Sequence, residues 1–332
     1  MILAADIGGT KVNLGIFETG GGRLKLVNEG TRPSRAYPRL QDLVKDFLAG
    51  VGQPGIERAC FGIAGPVRNG VVQLTNLPWK VEAGELAEEL KLGTVSLIND
   101  LEANGHGLAE LPPTDLHSLN QGDGNAAGNG AIISAGTGLG EAGLYWDGQR
   151  HWPFACEGGH ADFAPLTKMD AELFAYLTDR FGHVSWEKVL SGKGLCNIYE
   201  FLRDTKRGEE PASLADEMAK ADPAAVITQA GLNGSSSRCA QALDLFTTYY
   251  GSEAGNLALK MMSTGGVYIG GGIAPKMLRS LESGKFMAAF SSKGRMKSLL
   301  EAMPVRVILN PKTALLGAAH CAAFGGQLPG QS

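Results

Sequence analysis

The chain has 332 residues, enough for two domains with substantial cores. Hydrophobic residues make up 44% and charged residues 19%, and the net charge of −4 leaves no broad basic field to hold a nucleic acid. Five cysteines (Cys60, Cys156, Cys196, Cys239, Cys321) are scattered and never in C-x-x-C spacing, which excludes a zinc cluster and reads as reduced thiols of a cytosolic protein.

The first element is an apolar run, Ala4-Ala5-Asp6-Ile7, that breaks at Gly8-Gly9-Thr10-Lys11. Interrupted by Asp6 and lacking a basic lead-in, it reads as a strand rather than a signal peptide, and no apolar segment reaches transmembrane length. Val12 to Phe17 resumes a β pattern, so the turn predicts a hairpin. Neither a dinucleotide fingerprint nor a Walker loop has this spacing. Two readings remain for the turn. Its backbone N–H groups, with the Thr10 hydroxyl and Lys11 ammonium, suit a phosphate, and Asp6 suits a metal ion carried on that phosphate. Alternatively, Gly-Gly is plain turn chemistry and Asp6 a strand-end residue.

Gly20 to Gly22 predicts a second turn and Arg23 to Glu29 a third strand. Tyr37 to Leu48 carries apolar residues at helical spacing, Arg58 to Ala64 and Val71 to Leu74 read as strands, and Leu86 to Leu90 as a short helix. Val95 to Ile98 is a buried strand delivering Asn99 and Asp100 just before a helix that begins near Glu102. Ligands gather at such strand ends in open α/β sheets. An Asn-Asp helix cap explains the same residues equally well.

Pro112 to Gly130, polar and rich in glycine and asparagine, predicts a flexible connection. Beyond it, Ala131 to Gly140 repeats the opening device: a β run, a turn at Gly136-Thr137-Gly138, and a second β run through Trp146. A duplicated phosphate hairpin predicts two related α/β halves around a cleft. Glu157-Gly158-Gly159-His160 has a metal-ligand spacing for a helix, but two glycines favour a turn that presents a carboxylate and an imidazole to a polyol. A structural histidine in a loop with Asp162 is the alternative. Helices follow over Ala171 to Phe181, Ser185 to Leu190 and Leu195 to Arg203, with Glu187 explicable as a helix-start residue. Ser237 to Met262 predicts a long helix weakened at Gly251 and Gly255. A buried strand then ends in Gly270-Gly271-Gly272, a turn that suits a flat ligand such as a purine. Val305 to Leu309 reads as a strand, Lys312 to Phe324 as a helix, and Gly325 to Ser332 as a disordered tail.

In this order the segments resemble the bacterial glucokinases of the hexokinase/actin-like ATPase superfamily. The resemblance rests on IGGTK (Ile7 to Lys11), GIAGPV (Gly62 to Val67), TNLPW (Thr75 to Trp79), LINDLEA (Leu97 to Ala103), SAGTGLG (Ser134 to Gly140), EGGHADFAP (Glu157 to Pro165), GHVSWEKVLSGKGL (Gly182 to Leu195) and GGVYIGGGIAP (Gly265 to Pro275). The related repressor and sugar-kinase group carries a cysteine-rich zinc motif after its histidine, which this chain lacks, so it is similar to the zinc-free, proteobacterial-type branch. A repressor would also need a helix-turn-helix ahead of the first strand, where only five residues precede Asp6.

The resemblance implies a two-domain actin-like ATPase (ribonuclease H-like) α/β fold with duplicated mixed sheets. Its small domain would span 1–110 and be completed by 312–332, and its large domain would span 111–311. It implies ATP-dependent phosphorylation of glucose at the 6-hydroxyl, with Mg²⁺, in a cytoplasmic homodimer. Asn99, Asp100, Glu157, His160 and Glu187 would bind glucose, and Asp100, ionised from a pKa near about 3.9, would be the base. Asp6, Ile7, Gly8, Gly9, Thr10, Lys11, Gly136, Thr137, Gly138, Gly271 and Gly272 would contact the nucleotide, with Asp6 toward the metal. The competing expectations are a kinase for another hexose or amino sugar, a non-catalytic sugar-sensing regulator, and a structural actin-like ATPase.

Overall fold

The hairpin predicted at the start of the chain forms in the computed structural model, which describes residues 1–325 apart from Gln53 and Thr75. The tail expected to be disordered lies, beyond Gly325, outside the described residues. Strand β1 (Ile2–Ile7) pairs antiparallel with β2 (Lys11–Gly20), and β2 with β3 (Arg23–Pro33). Helix α1 (Leu40–Gly50) follows, then β4 (Arg58–Ile63), the small hairpin β5 (Val71–Gln73) and β6 (Lys80–Glu82), α2 (Ala83–Leu90), β7 (Thr94–Asn99) and α3 (Asp100–Gly107). Helix α3 begins two residues earlier than the sequence pattern places it, because Asn99 rather than a later residue caps it.

The remaining strands are β8 (Leu116–Asn120), β9 (Gly130–Ala135), β10 (Leu139–Trp146) and β11 (His151–Cys156). The helices α4 (Lys168–Phe181), α5 (Gly192–Asp204), α6 (Leu214–Lys220), α7 (Pro223–Leu232) and α8 (Ser237–Met261) come next. The chain closes with β12 (Gly266–Gly270), α9 (Leu278–Leu281), α10 (Lys285–Ser291), α11 (Lys297–Glu301), β13 (Val305–Ile308) and α12 (Thr313–Phe324).

Two compact units result: residues 1–115, 144–155 and from Asn310 onward form the first, and 116–143 with 156–309 the second. Leu144–Ala155, which the sequence reading assigns to 111–311, thus joins the first unit. The first sheet runs in the order β3-β2-β1-β4-β7 and the second β11-β10-β9-β12-β13-β8. The second repeats the first strand for strand and adds β8 at the end, which is the duplication expected from the two glycine turns.

In the first unit, β1 is covered on both faces. Leu3, Ala5 and Ile7 meet Leu43, Val44 and Phe47 of α1, while Ile2 and Ala4 belong to a core with Leu315, Ala318 and Ala319 of α12. Such two-sided burial explains why the strand reads as an unbroken apolar run. Glycines let α12 come close to α3, since a Cβ at Gly317 would lie 1.6 Å from the Ala103 carbonyl oxygen. The second unit has its own core, in which Ile133, Tyr250, Phe286 and Phe290 take part.

Three expectations are corrected here. The connection at Pro112 to Gly130 holds a strand, β8, antiparallel to β13; as an outermost strand it is only half-buried and lacks a strong apolar signal. Helix α8 runs unbroken through Gly251 and Gly255. Those glycines admit α10: added Cβ atoms would stand 2.1 Å from the Phe286 oxygen and 2.4 Å from the Phe290 oxygen. Ser185 to Leu190, read as helical, contains one 3₁₀ turn, Trp186–Lys188.

Candidate active site

In the first unit the parallel strands β1, β4 and β7 finish level, with Ile7 beside Ile63 and Ile63 beside Asn99. The Gly8-Gly9 turn and the Asn99-Asp100 pair therefore leave one edge of one sheet. The turn is held from within: Gly8 N–H donates to the Lys11 carbonyl at 3.0 Å, and Ser34 Oγ donates to the Gly8 carbonyl at 2.7 Å. Neither glycine has a positive φ. Space is tight at both, since Cβ atoms there would sit 3.1 Å from the Lys11 oxygen and 3.2 Å from Asn76 Cβ, and a neighbour would have to give by a few tenths of an ångström. Thr10 and Lys11 are exposed at the tip.

Asp6 faces Asn13 across the hairpin and accepts a hydrogen bond from Asn13 Nδ2 at 3.1 Å. Burial pushes its pKa up, while the Asn13 bond and the Lys11 charge oppose that shift. Asn13 in turn accepts from Thr31 Oγ1 at 3.0 Å. Asn13 was not singled out in the sequence, yet the hairpin register alone sets it opposite Asp6 as a polar pair amid apolar neighbours.

At Asn99-Asp100 the helix cap forms as the sequence allows. Asn99 Oδ1 accepts from Leu101 N–H at 2.8 Å, and Glu102 Oε2 accepts from Asn99 N–H at 2.8 Å, so these two complete a capping box. Asn99 Nδ2 also donates to the Gly65 carbonyl at 3.3 Å. Asp100 occupies the first position of α3, half-buried, with Oδ1 accepting from Leu101 N–H at 3.1 Å. The helix dipole favours a negative charge there.

In the second unit the glycine turns gather around the ends of β9 and β12, which are parallel. Gly136 N–H donates to the Gly138 carbonyl at 2.8 Å, and the Gly136 carbonyl accepts from Gly192 N–H, in the first turn of α5, at 2.9 Å. Thr137 is exposed between them. Gly271, at φ +83°, needs to be glycine both for its backbone and because a Cβ would lie 2.2 Å from the Ala135 oxygen. Gly272 is exposed beside it.

Glu187 and the Gly159 backbone, within the Glu157–His160 turn, both meet the first residue of β10, Leu139. Glu187 Oε2 accepts from Leu139 N–H at 3.1 Å, and a Cβ at Gly159 would be 2.1 Å from the Leu139 carbonyl oxygen. Glu157 and His160 bracket a 3₁₀ turn closed by His160 N–H donating to the Glu157 carbonyl at 3.0 Å. The following residues tie this turn to the Glu187 segment: Phe163 N–H donates to Val184 O at 3.0 Å and Trp186 N–H to Ala161 O at 2.9 Å. Asp162 bonds the His183 ring, Oδ1 to Nε2 at 2.8 Å, leaving His160 with no part in that pair. Glu157 and His160 are exposed and Glu187 is half-buried, so three hydrogen-bonding side chains reach solvent from one rigid base.

A family model described as Glucokinase matches residues 3–324. A glucokinase of Trichormus variabilis is 44% identical over 338 residues, covering 97% of this chain and 99% of that protein. Among solved structures, a glucokinase from an Antarctic psychrotroph matches with a TM-score of 0.82 at 30% identity, over 97% of this chain and 98% of the other. A ROK family glucokinase from Streptomyces griseus, solved in complex with glucose and AMPPNP, shares the fold with a TM-score of 0.64 at 20% identity, over 97% and 98%.

Proposed function

The chain belongs to the glucokinase family, whose reaction is the ATP-dependent phosphorylation of glucose, and from that premise we propose how its residues divide the work. Asp100 is the base. It accepts the proton of the glucose 6-hydroxyl as that oxygen attacks the γ-phosphorus of ATP, the bond to the β,γ-bridging oxygen breaks, and ADP leaves with glucose 6-phosphate, for glycolysis, as the other product. The observation that supports this is at the start of α3: Asn99 and Glu102 complete the capping box, and Asp100, although its Oδ1 also accepts from Leu101 N–H, stands half-buried beside them at the end of β7.

Asn99, Asp100, Glu157, His160 and Glu187 bind the sugar. Three carboxylates accept from hydroxyls and the imidazole takes either role, so a sugar missing one hydroxyl leaves a site group unpaired, a loss of about 10⁴-fold or more. The turns at Ile7 to Lys11 and Gly136 to Gly138 offer backbone N–H groups to phosphate oxygens, with Thr10 and Lys11 adding a hydroxyl and a charge. Gly271 and Gly272 let backbone pass close to the purine.

Mg²⁺ fits this donor set as a passenger on the nucleotide. Among the described residues no three of His, Cys, Asp or Glu gather as a cage, and magnesium is commonly held by phosphates, water and one or two carboxylates. Asp6 is such a carboxylate, half-buried with its ionised form opposed by burial, so a nearby cation favours it. When bound, the ion neutralises phosphate charge; Asn13 keeps the Asp6 carboxylate turned in one direction. Among the described residues no helix is long and apolar enough to cross a membrane. From the family likeness alone, we infer a cytoplasmic homodimer.

The test is a coupled assay for ADP with glucose and Mg-ATP on the full chain and on Asp100→Asn. Loss of turnover with glucose binding retained supports the assignment; near-normal turnover removes Asp100 as the base.

A further inference from the structure

Behind the Glu157–His160 turn lies a carboxyl group that the reaction scheme does not use. Glu141 of β10 is 2% exposed and Glu253 of α8 is fully buried. Each has an Oε1 without a hydrogen-bond partner among the described residues. Buried carboxylates left in that state are costly, and the Glu253 charge adds to burial at Glu141, so a proton held by one of them relieves their repulsion. Burial first and Glu253 second push Glu141 up to about 8, and burial raises Glu253 as well.

The groups facing the pair are few. Asn256 Nδ2 donates to Glu253 Oε2 at 2.7 Å, and Lys260 Nζ is 3.7 Å from Glu253 Oε1. Lys293 is bound to the Ser252 carbonyl and to Asn256 Oδ1, while Cys156 Sγ donates to the Glu141 carbonyl at 3.3 Å. Tyr250 lies near enough to feel the Glu141 charge, but its hydroxyl is engaged at Ala135. On the other side is the substrate turn itself. A Cβ at Gly158 would lie 1.9 Å from Glu141 Oε2, so the Gly158 backbone rests directly on this carboxyl.

We propose that Glu141, sharing one proton with Glu253, is a positioning residue that sets the Glu157–His160 turn for the sugar. The inference rests on the assignment of Glu157 and His160 to glucose. With the proton present the pair is compact and the turn sits on it. Once the proton leaves, two buried carboxylates repel, and the Gly158 backbone of the turn, resting on Glu141 Oε2, takes up the displacement. Glucose affinity then weakens with rising pH while nucleotide affinity does not.

The experiment measures KM for glucose and for ATP from pH 6.5 to 9 in the full chain, in Glu141→Gln and in Glu141→Ala. The wild type is expected to show a rise of about fivefold or more in glucose KM across that range with ATP KM nearly level. Glu141→Gln, which keeps an N–H donor toward Glu253 and carries no titrating proton, flattens the glucose profile. Glu141→Ala raises glucose KM about tenfold already at pH 6.5. Matching profiles in wild type and Glu141→Gln, a level wild-type profile, or parallel changes in ATP KM would each overturn the proposal. Should Glu141→Gln fail to fold, Glu253→Gln supplies the same comparison. Calorimetric titration with glucose separates the two levels of inference. No glucose binding by the wild type sinks the site assignment itself, whereas normal binding by Glu141→Ala sinks only the positioning role.

Discussion

Gly138→Ala tests whether the anchor under Glu187 matters to the sugar. Gly138 has no positive φ, so alanine fits its backbone, and the new methyl meets only the tip of a side chain: Glu187 Oε2 at 2.4 Å. A comfortable contact needs about 3.5 Å, so the carboxylate must withdraw by about 1 Å. The bond it accepts from Leu139 N–H, now 3.1 Å, then passes the length at which a hydrogen bond ends. A bond to a charged acceptor is worth about 1.5–3 kcal/mol, equivalent to roughly 10- to 100-fold in an equilibrium. Glu187 is half-buried and can turn to water, so the fold survives and the melting temperature falls by about 5 °C or less. In steady-state assays glucose KM should therefore rise at least tenfold. Unchanged glucose KM would refute the reasoning, and a rise confined to ATP KM would assign Gly138 to the nucleotide alone.

Asp100→Asn should lower kcat by about 10²–10⁴ and cost no more than about 1 kcal/mol of stability through the lost charge at the helix start, because Asn99 and Glu102 make the cap; a larger loss in the thermal melt would contradict that division. Asn99→Ala should cost about 1 kcal/mol of stability, measured by denaturant titration. Gly251→Ala gains about 1 kcal/mol in helix propensity but places a methyl 2.1 Å from the Phe286 oxygen, and overpacking of about 1–3 kcal/mol or more should win, giving an earlier thermal transition. The carboxyl of Glu141, raised from 4.5 to about 8, stays protonated in the fold while the unfolded chain releases its proton. The native state is therefore penalised progressively as pH rises from about 4.5 to about 8, and level beyond. Melts of wild type and Glu141→Gln should converge at low pH and separate through that window, with the wild type falling further.

The fold was legible wherever burial followed a simple period. Both glycine turns, the run from Ile2 to Ile7 and the amphipathic pattern of α1 carry their structure in their spacing. Strand β8 was not legible, since an outer strand half-open to solvent has no apolar alternation to show. Gly251 and Gly255 misled for a different reason: within one helix they look like weak points, and only the Phe286 and Phe290 carbonyls of α10 explain them. At the candidate site, residue types and turns could be read, but the partners could not. Nothing local connects Glu187 to Leu139, 48 positions away, or Glu141 to Glu253.

The two turns that look alike in sequence are therefore built to do different things. The first is closed by its own neighbours, through Lys11 and Ser34, and its nearby carboxylate, Asp6, is fixed by Asn13 on the adjoining strand. The second is tied outward, with Gly136 bonded to the start of α5 and Leu139 bonded to Glu187. A change at Gly8 or Gly9 should then register in nucleotide handling alone, whereas a change at Gly138 also reaches the residues assigned to the sugar. Duplication supplied the same backbone twice, and the side chains bonded beside each copy, Asn13 to Asp6 in one and Glu187 to Leu139 in the other, differ; under the proposed assignment that difference is what the paired changes at Gly8 and Gly138 would read out.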